Sequence, residues 1–426
     1  MEKNLIKREI FPQIVRHLHK EEVTVITGAR QTGKTTLLLQ LKDYLIKVKK
    51  INSSRIKVFN LDLFSDLEGI RNQTDFIKFL REELNKEKFL YVFIDEIQRL
   101  ENPGKFLKGI YDLNLPLKLV VTGSSSLEMK SKIFESLTGR KKVFHIWPFS
   151  FSEYLSCHDP MLSELIKKRA ISTIHKRVIF DHLLDFIIFG GYPRAVLAKS
   201  KEEKIQVLNE IYSSYVEKDI VGFIKIKNPL TFSKLVALLS NQVGSLINLK
   251  EISNTLGINY RTLEHYLSVL ENTFVINITR PFFTNIRKEL TKMPKIYFVD
   301  NGIRNLAIRY FAKFLDNRDK GELLENFVFS SLLKKGDMII NYWRTKDKSE
   351  VDFICRDYYG NTIPLEVKAN EFKKPEINKG LRSFIEKYNP AKAFLLNLSL
   401  EEKIKFKNTN IEFILPYSIE RILIKE

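Results

Sequence analysis

Val23-Thr24-Val25-Ile26-Thr27-Gly28-Ala29-Arg30-Gln31-Thr32-Gly33-Lys34-Thr35 is the stretch that decides how this chain is read. An apolar β run, 23–27, leads into a glycine, and a segment with helical periodicity, 36–47, follows. Between them, residues 28–35 fit the pattern GxxxxGK[ST]. In that context the backbone N–H groups of Gly28, Ala29, Arg30, Gln31, Thr32 and Gly33 can turn toward phosphate oxygens. The helix N-terminus, through Thr36, adds its partial positive charge. Lys34 is expected to reach the β- and γ-phosphates as a point charge, and the Thr35 hydroxyl to be a Mg²⁺ ligand. The bland alternative is a glycine-rich turn that happens to end in Lys-Thr. Strand before and helix after argue against it, so ATP with Mg²⁺ is the expected ligand.

Working outward, the first stretch alternates strands (57–63, 89–94, 117–122, 142–147) with helices such as 74–85. Continuous apolar strands separated by helices predict a parallel sheet covered on both faces, an α/β fold. The run Phe89-Leu90-Tyr91-Val92-Phe93-Ile94 ends in Asp95-Glu96, two carboxylates at the sheet edge where ligands bind in such folds. Asp95 is expected to hold Mg²⁺ through water and Glu96 to orient the attacking water. Another strand ends in Thr122-Gly123-Ser124-Ser125-Ser126, and Ser124 is the candidate to touch the γ-phosphate or the water. Leu137-Thr138-Gly139-Arg140 precedes the next strand. Arg140 reads either as an arginine finger, serving a second copy in a homo-oligomer, or as a surface arginine in a turn.

The 426 residues exceed one compact core and predict more than one domain. A hydrophobic fraction of 44% and a charged fraction of 28% are those of a soluble globular chain. No apolar run is long enough to span a membrane, and Met1-Glu2-Lys3-Asn4 opens no apolar signal segment, so the expectation is cytoplasmic without membrane contact. Cys157 and Cys355 have neither metal-ligand spacing nor a disulfide framework. The formal net charge of +19 favours a polyanion partner such as DNA. A lysine-rich composition with no such partner is the competing explanation.

The order GARQTGKT, FLYVFIDE, VVTGSSS and SLTGRKKVFHIWPFSFSEYL resembles the AAA-type ATPases of a prokaryotic ATP-binding family, relatives of the archaeal ATPases, that carry a further C-terminal region. The resemblance covers nearly the whole chain. It implies an AAA-type P-loop core at 1–150, a helical lid at 151–204, a winged-helix domain at 205–315 and a small restriction-endonuclease-like domain at 316–426. It also implies that Gly191-Tyr192-Pro193 is a GxP motif of the nucleotide site, Gly191 included, with Pro193 against the adenine and Arg194 sensing phosphate. Without the resemblance, Gly190-Gly191-Tyr192-Pro193 reads as a helix stop and turn.

Residues 249–267 read as helix, turn, helix, with Gly257 at the turn and Tyr260, Arg261 and His265 outward. Runs at 274–278 and 295–299 are expected to form a wing around Arg287, Lys288 and Lys292. Further on, Glu350-Val351-Asp352-Phe353 and Leu365-Glu366-Val367-Lys368 lie on consecutive predicted strands, each with its polar residues on one face. Asp352 and Glu366, with Glu325 from the preceding helix, are the expected ligands of a second divalent ion, Mg²⁺ or Mn²⁺, with Lys368 beside it. This set resembles the core of restriction-endonuclease-like nucleases. The functional expectation is a Mg²⁺-dependent ATPase whose nucleotide state controls DNA binding or assembly. The alternatives are an ATP-gated metal-dependent DNA endonuclease and a signalling NTPase switch without a DNA role.

Overall fold

The computed structural model describes residues 6–124, 137–168, 171–215, 228–283, 292–336 and 338–423. The chain divides into two compact units, Met1–Trp147 with Asn272–Phe274, and Pro148–Glu271 with Val275–Glu426.

The first unit is built on five parallel strands, β1 (Val23–Gly28), β2 (Ile56–Asn60), β3 (Leu90–Asp95), β4 (Leu117–Ser124) and β5 (Lys141–Ile146). Their order across the sheet is β2-β3-β4-β1-β5. β1 thus lies between β4 and β5, and the chain leaving it crosses two strands to reach β2. Such an order opens a crevice at the C-terminal ends of β1 and β4. Every residue of β1 and β3 is buried, because helices cover both faces. Alternate side chains sort between two cores. Val92 and Ile94 join Val25, Phe76 and Leu107 on one face. Tyr91 and Phe93 join Leu37, Leu41 and Leu45 of the helix Lys34–Lys47 on the other. This period-two sorting fixes the strand register, since a one-residue slip would exchange the faces.

The second unit begins with helices. Ser150 and Glu153 form a reciprocal capping box on the helix Phe151–His158. Three helices, Pro229–Asn241, Leu249–Leu256 and Tyr260–Asn272, precede an antiparallel pair, β6 (Ile276–Thr279) and β7 (Lys295–Phe298). A six-stranded mixed sheet follows, made of β8 (Ile339–Arg344), β9 (Glu350–Arg356), β10 (Thr362–Val367), β11 (Lys392–Leu396), β12 (Glu402–Phe406) and β13 (Thr409–Ile414), in the order β12-β13-β11-β10-β9-β8. β12 went unread in the sequence. It is a charged edge strand, Glu402 to Phe406, with no fully buried residue. Among the described residues no helix is long and apolar enough to cross a membrane.

Candidate functional site: a phosphate loop and two carboxylates

The loop after β1 is held in shape by its own residues. Gly33 has φ +95, a conformation that favours glycine, and the helix begins at the next residue, Lys34. Gly28 is forced by packing instead, since a Cβ there would lie 2.2 Å from the Ile146 carbonyl oxygen. Gln31 also adopts positive φ, at 61°. The Thr32 hydroxyl donates to the Ala29 carbonyl at 2.8 Å. From outside the loop, Arg8 donates to the Thr32 carbonyl and to the Trp147 carbonyl, both at 2.7 Å. Arg8 is only 7% exposed, so the bracket is a desolvated, charge-assisted one. No motif in the sequence pointed to it.

Lys34 is 5% exposed and donates to the carbonyls of Gly28 and Ala29 at 3.1 and 2.9 Å. Burial pulls its ammonium below the ordinary lysine range; Glu96 and Asp95 oppose that pull, and Arg30 adds to it. The Thr35 hydroxyl donates to Asp95 Oδ2 at 2.7 Å. The other Asp95 oxygen accepts from the Thr122 hydroxyl, whose oxygen in turn accepts the Glu96 backbone N–H at 3.2 Å. Asp95 is 3% exposed, so its orientation is fixed by two hydroxyls in a desolvated setting. Glu96 has φ +56, rare for a residue with a side chain, and turns out of the strand with Gln98 donating to its carboxylate. A residue in this sparsely populated conformation, next to a buried carboxylate at a sheet edge, makes the pair a candidate functional position.

The β4 hydroxyl that reaches Asp95 is thus Thr122, a contact that no motif in the sequence pointed to. The backbone of Ser124 pairs with Gly28, at the mouth of the loop, and its side chain lies outside the described residues. Thr36 stands exposed in the first helical turn, and Arg30 is exposed on the loop. Arg140 sits at the opposite edge of the sheet. Its carbonyl accepts the Val23 N–H, and its side chain pairs with Asp112 at 3.2 Å. Five residue steps along the strand separate Val23 from Gly28, about 17 Å at the usual rise. Arg140 therefore does not reach the phosphate loop of its own chain. Thr35 and Asp95 offer Mg²⁺ a hydroxyl and a carboxylate oxygen already in contact. This hard oxygen pair fits the ion, and these two residues would hold it.

In the second unit the Gly190-Gly191-Tyr192-Pro193 segment is engaged by Asp300. Gly191 N–H donates to Asp300 Oδ2 at 2.7 Å, while Oδ1 caps the helix Asn301–Ala307 at Gly302 and Ile303. Gly190 has φ +74, and a Cβ there would lie 2.1 Å from Asp300 Oδ1. Asn301 and Asn305 donate to the Ile187 and Ile188 carbonyls, closing the end of the helix Thr173–Phe189. Pro193 opens the short helix Pro193–Val196, and exposed Arg194 pairs with Glu210 at 2.9 Å. The two glycines therefore have a packing reason that involves no nucleotide.

On the mixed sheet, Asp352 Oδ2 accepts the Val367 N–H at 2.7 Å, and Lys368 Nζ lies 2.6 Å from Glu366 Oε1, which also accepts from Asn378. Glu325, Asp352, Glu366 and Lys368 do come within electrostatic reach of one another. Burial pushes Glu366 up to about 8, with Asp352 adding to the rise and Lys368 opposing it. Burial pushes Glu325 up to about 7, with Lys295 opposing and Asp352 adding. The expected second metal centre is corrected here. Glu366 Oε2, buried without a hydrogen-bond partner, is the one observation in favour of a cation. Against it, Glu325 is committed to Tyr297 and Lys295, and among the described residues no group of three His, Cys, Asp or Glu is placed to hold a metal ion. The set does not fit a divalent ion as it stands. Lys295 was invisible to the motif reading because it is a lone lysine opening an otherwise apolar strand. Of the expected wing cations, Lys292 is exposed, and Arg287 and Lys288 lie outside the described residues.

Residues 20–155 match the AAA domain, 180–313 match a domain of unknown function (DUF8612), and 320–418 match another (DUF4143). The chain is 29% identical to an uncharacterised protein of Haemophilus influenzae, over 84% of this chain and 85% of that one. It is 27% identical to an uncharacterised protein of Methanocaldococcus jannaschii, over 87% of this chain and 79% of that one. Among solved structures, PCH-2 of C. elegans is 15% identical and covers 62% of this chain and 71% of its own, with a TM-score of 0.34. The chain thus carries an AAA domain at 20–155 and a DUF4143 domain at 320–418, and the resemblance read from its motifs is borne out for the AAA domain and the further C-terminal region.

Proposed function

We propose that this AAA-type protein is a Mg²⁺-dependent ATPase whose nucleotide state controls DNA binding or assembly. The observation that carries the reading is the contact chain Thr35–Asp95–Thr122–Glu96, set beside a buried Lys34 at the mouth of a parallel sheet. Backbone N–H groups of 28–33 and Lys34 would receive the phosphates. Held by Thr35 and Asp95, Mg²⁺ would neutralise charge on the phosphate oxygens. Glu96 orients a water for in-line attack on the γ-phosphorus. The new P–O bond forms as the bond to the β–γ bridging oxygen breaks, giving ADP and inorganic phosphate, and the water proton passes to the carboxylate side. Glu96 suits this task because its backbone turns out of the strand while its neighbour Asp95 stays buried.

For DNA, the support is the +19 charge and one face of the second unit. There a groove of about 520 Å³ runs between the helix Tyr260–Asn272 and the β6–β7 ribbon, lined by Lys250, Tyr260, Arg280 and Lys292 among others. Tyr260, Arg261 and His265 are exposed on that helix, as a winged helix contacting a duplex would need. For assembly, the support is Arg140, which lies at the wrong edge of the sheet for its own nucleotide and is usable only by a neighbouring copy. Nuclease action is the weaker reading, because lysines already pair with Glu325, Glu350 and Glu366. ATP turnover measured with and without DNA, with plasmid integrity read from the same tubes, tests all three. The proposal expects DNA-stimulated hydrolysis with intact plasmid. Turnover indifferent to DNA favours a switch, and Mg²⁺-dependent cutting favours the nuclease.

A further inference from the structure

Lys295 opens strand β7, which belongs to the two-stranded ribbon, yet its ammonium group ends among the carboxylates of the C-terminal sheet. Its side chain is 3% exposed. Nζ lies 2.6 Å from Glu350 Oε1 on β9 and 3.3 Å from Glu325 Oε1 on the helix Lys320–Lys335. The same Glu325 oxygen accepts the Tyr297 hydroxyl at 2.6 Å. The other Glu350 oxygen pairs with Arg344 at 2.7 Å. The Tyr342 ring, centred 5.5 Å from Nζ, covers the ammonium on a further side. Gly244 closes over Glu325, since a Cβ at that position would stand 3.0 Å from both of its oxygens. Four carboxylates, Glu325, Glu350, Asp352 and Glu366, therefore face three cations, Lys295, Arg344 and Lys368, and Lys295 is the deepest of the three.

A cluster of buried carboxylates needs a positive charge, because desolvating like charges together is costly. Nuclease-like sheets with this pattern are expected to meet the need with a divalent ion. Here a compact ammonium on a flexible four-carbon stem meets it from within the chain. The geometry points to Lys295 as a built-in cation: it occupies the acidic centre between Glu325 and Glu350, and its removal converts that centre into a site for Mn²⁺ or Mg²⁺. The ammonium also ties β7 to the helix and strand that carry the two carboxylates, so the centre doubles as the junction between ribbon and sheet. This inference is independent of the ATPase reading.

The test is Mn²⁺ binding to the full chain without nucleotide, followed by the loss of the free-ion paramagnetic resonance signal. Lys295→Met is expected to gain one Mn²⁺ site per chain, at least tenfold tighter than any in the wild type. Adding Glu325→Gln should abolish the gain, whereas Thr35→Ala should leave it. Lys295→Arg, which keeps the charge, should gain none. Lys295→Met leaves two carboxylates without their cation and is at risk of misfolding. Lys295→Met/Glu350→Gln removes one charge of each sign and is expected to gain the same site with Glu325 and Asp352. A wild-type Mn²⁺ site that Glu325→Gln removes would overturn the inference, since the ion would then enter beside Lys295. So would a folded Lys295→Met or double variant that binds no more Mn²⁺ than the wild type.

Discussion

Replacing Gly191 by alanine separates two roles for the Gly-Tyr-Pro segment. A Cβ at this position would lie 2.3 Å from the Phe149 carbonyl oxygen, 3.1 Å from the Phe149 nitrogen and 3.1 Å from Phe186 Cε2. Ordinary contact begins near 3.4 Å, so a backbone carbonyl must retreat by about 1 Å. That carbonyl cannot yield cheaply. Phe149 N–H donates to the Gly191 carbonyl at 2.7 Å, and Gly191 N–H donates to buried Asp300 at 2.7 Å. Overpacking of this kind costs about 1–3 kcal/mol, and weakening a hydrogen bond to a charged group about 1.5–3 kcal/mol more. Together these give a loss of roughly 2.5–6 kcal/mol. Urea unfolding followed by Trp343 fluorescence in a Trp147→Phe background reads the second unit alone, since Trp147 and Trp343 are the chain's two tryptophans and lie in different units. With a urea slope of about 1–3 kcal/mol per molar, the midpoint should fall by about 1 M or more. ATP affinity at the phosphate loop should stay within about twofold. An unmoved midpoint together with tenfold weaker ATP binding would refute the packing argument and restore the adenine contact.

Other perturbations follow from the same contacts. Thr122→Val removes a hydroxyl donor to Asp95 and the acceptor for the Glu96 N–H. ATP turnover should fall about 10–100-fold, matching roughly 1.5–3 kcal/mol for a bond to a charged group, while fluorescent-nucleotide binding persists. Arg8→Ala unfastens the Thr32 and Trp147 carbonyls, and ATP binding by calorimetry should weaken at least about tenfold. Stability of the second unit should fall as pH rises from about 4.5 toward 8. The folded Glu366 carboxyl holds its proton above the ordinary value of 4.5, so between these limits the native state binds more protons than the unfolded chain, and raising the pH favours unfolding. Glu366→Gln should flatten that slope in melts recorded across the range, and an unchanged slope would assign it elsewhere.

The phosphate loop was legible because it is local. Glycine spacing, strand before and helix after all fall within residues 23–47, and the carboxylate pair ends a single apolar strand. The contacts that orient the pair were not legible, because they come from distant positions. Thr122 lies 27 residues from Asp95 in sequence, and Arg8 lies 24 from Thr32. The hydroxyl on Asp95 comes from Thr122, inside the apolar run of β4, where no serine or glycine spacing marks it. The C-terminal carboxylates were found by strand alternation, which places side chains on a face but does not say what meets them there. Lys295 arrives from outside the strand pair, so periodicity carried no sign of it. β12 escaped because a short, charged edge strand, Glu402 to Phe406, offers no apolar run.

The central claim is that Glu96 positions water for ATP hydrolysis at a site formed by Lys34, Thr35 and Asp95. Glu96→Gln keeps size and shape and removes the charge. Its steady-state ATP turnover at saturating Mg²⁺-ATP, measured beside nucleotide affinity on the same preparation, is the direct test. Affinity within about threefold of wild type with turnover reduced at least about 100-fold is the expected result, the loss typical of removing a positioned acid–base group. Wild-type turnover in Glu96→Gln, or hydrolysis that survives Lys34→Ala, would contradict the account.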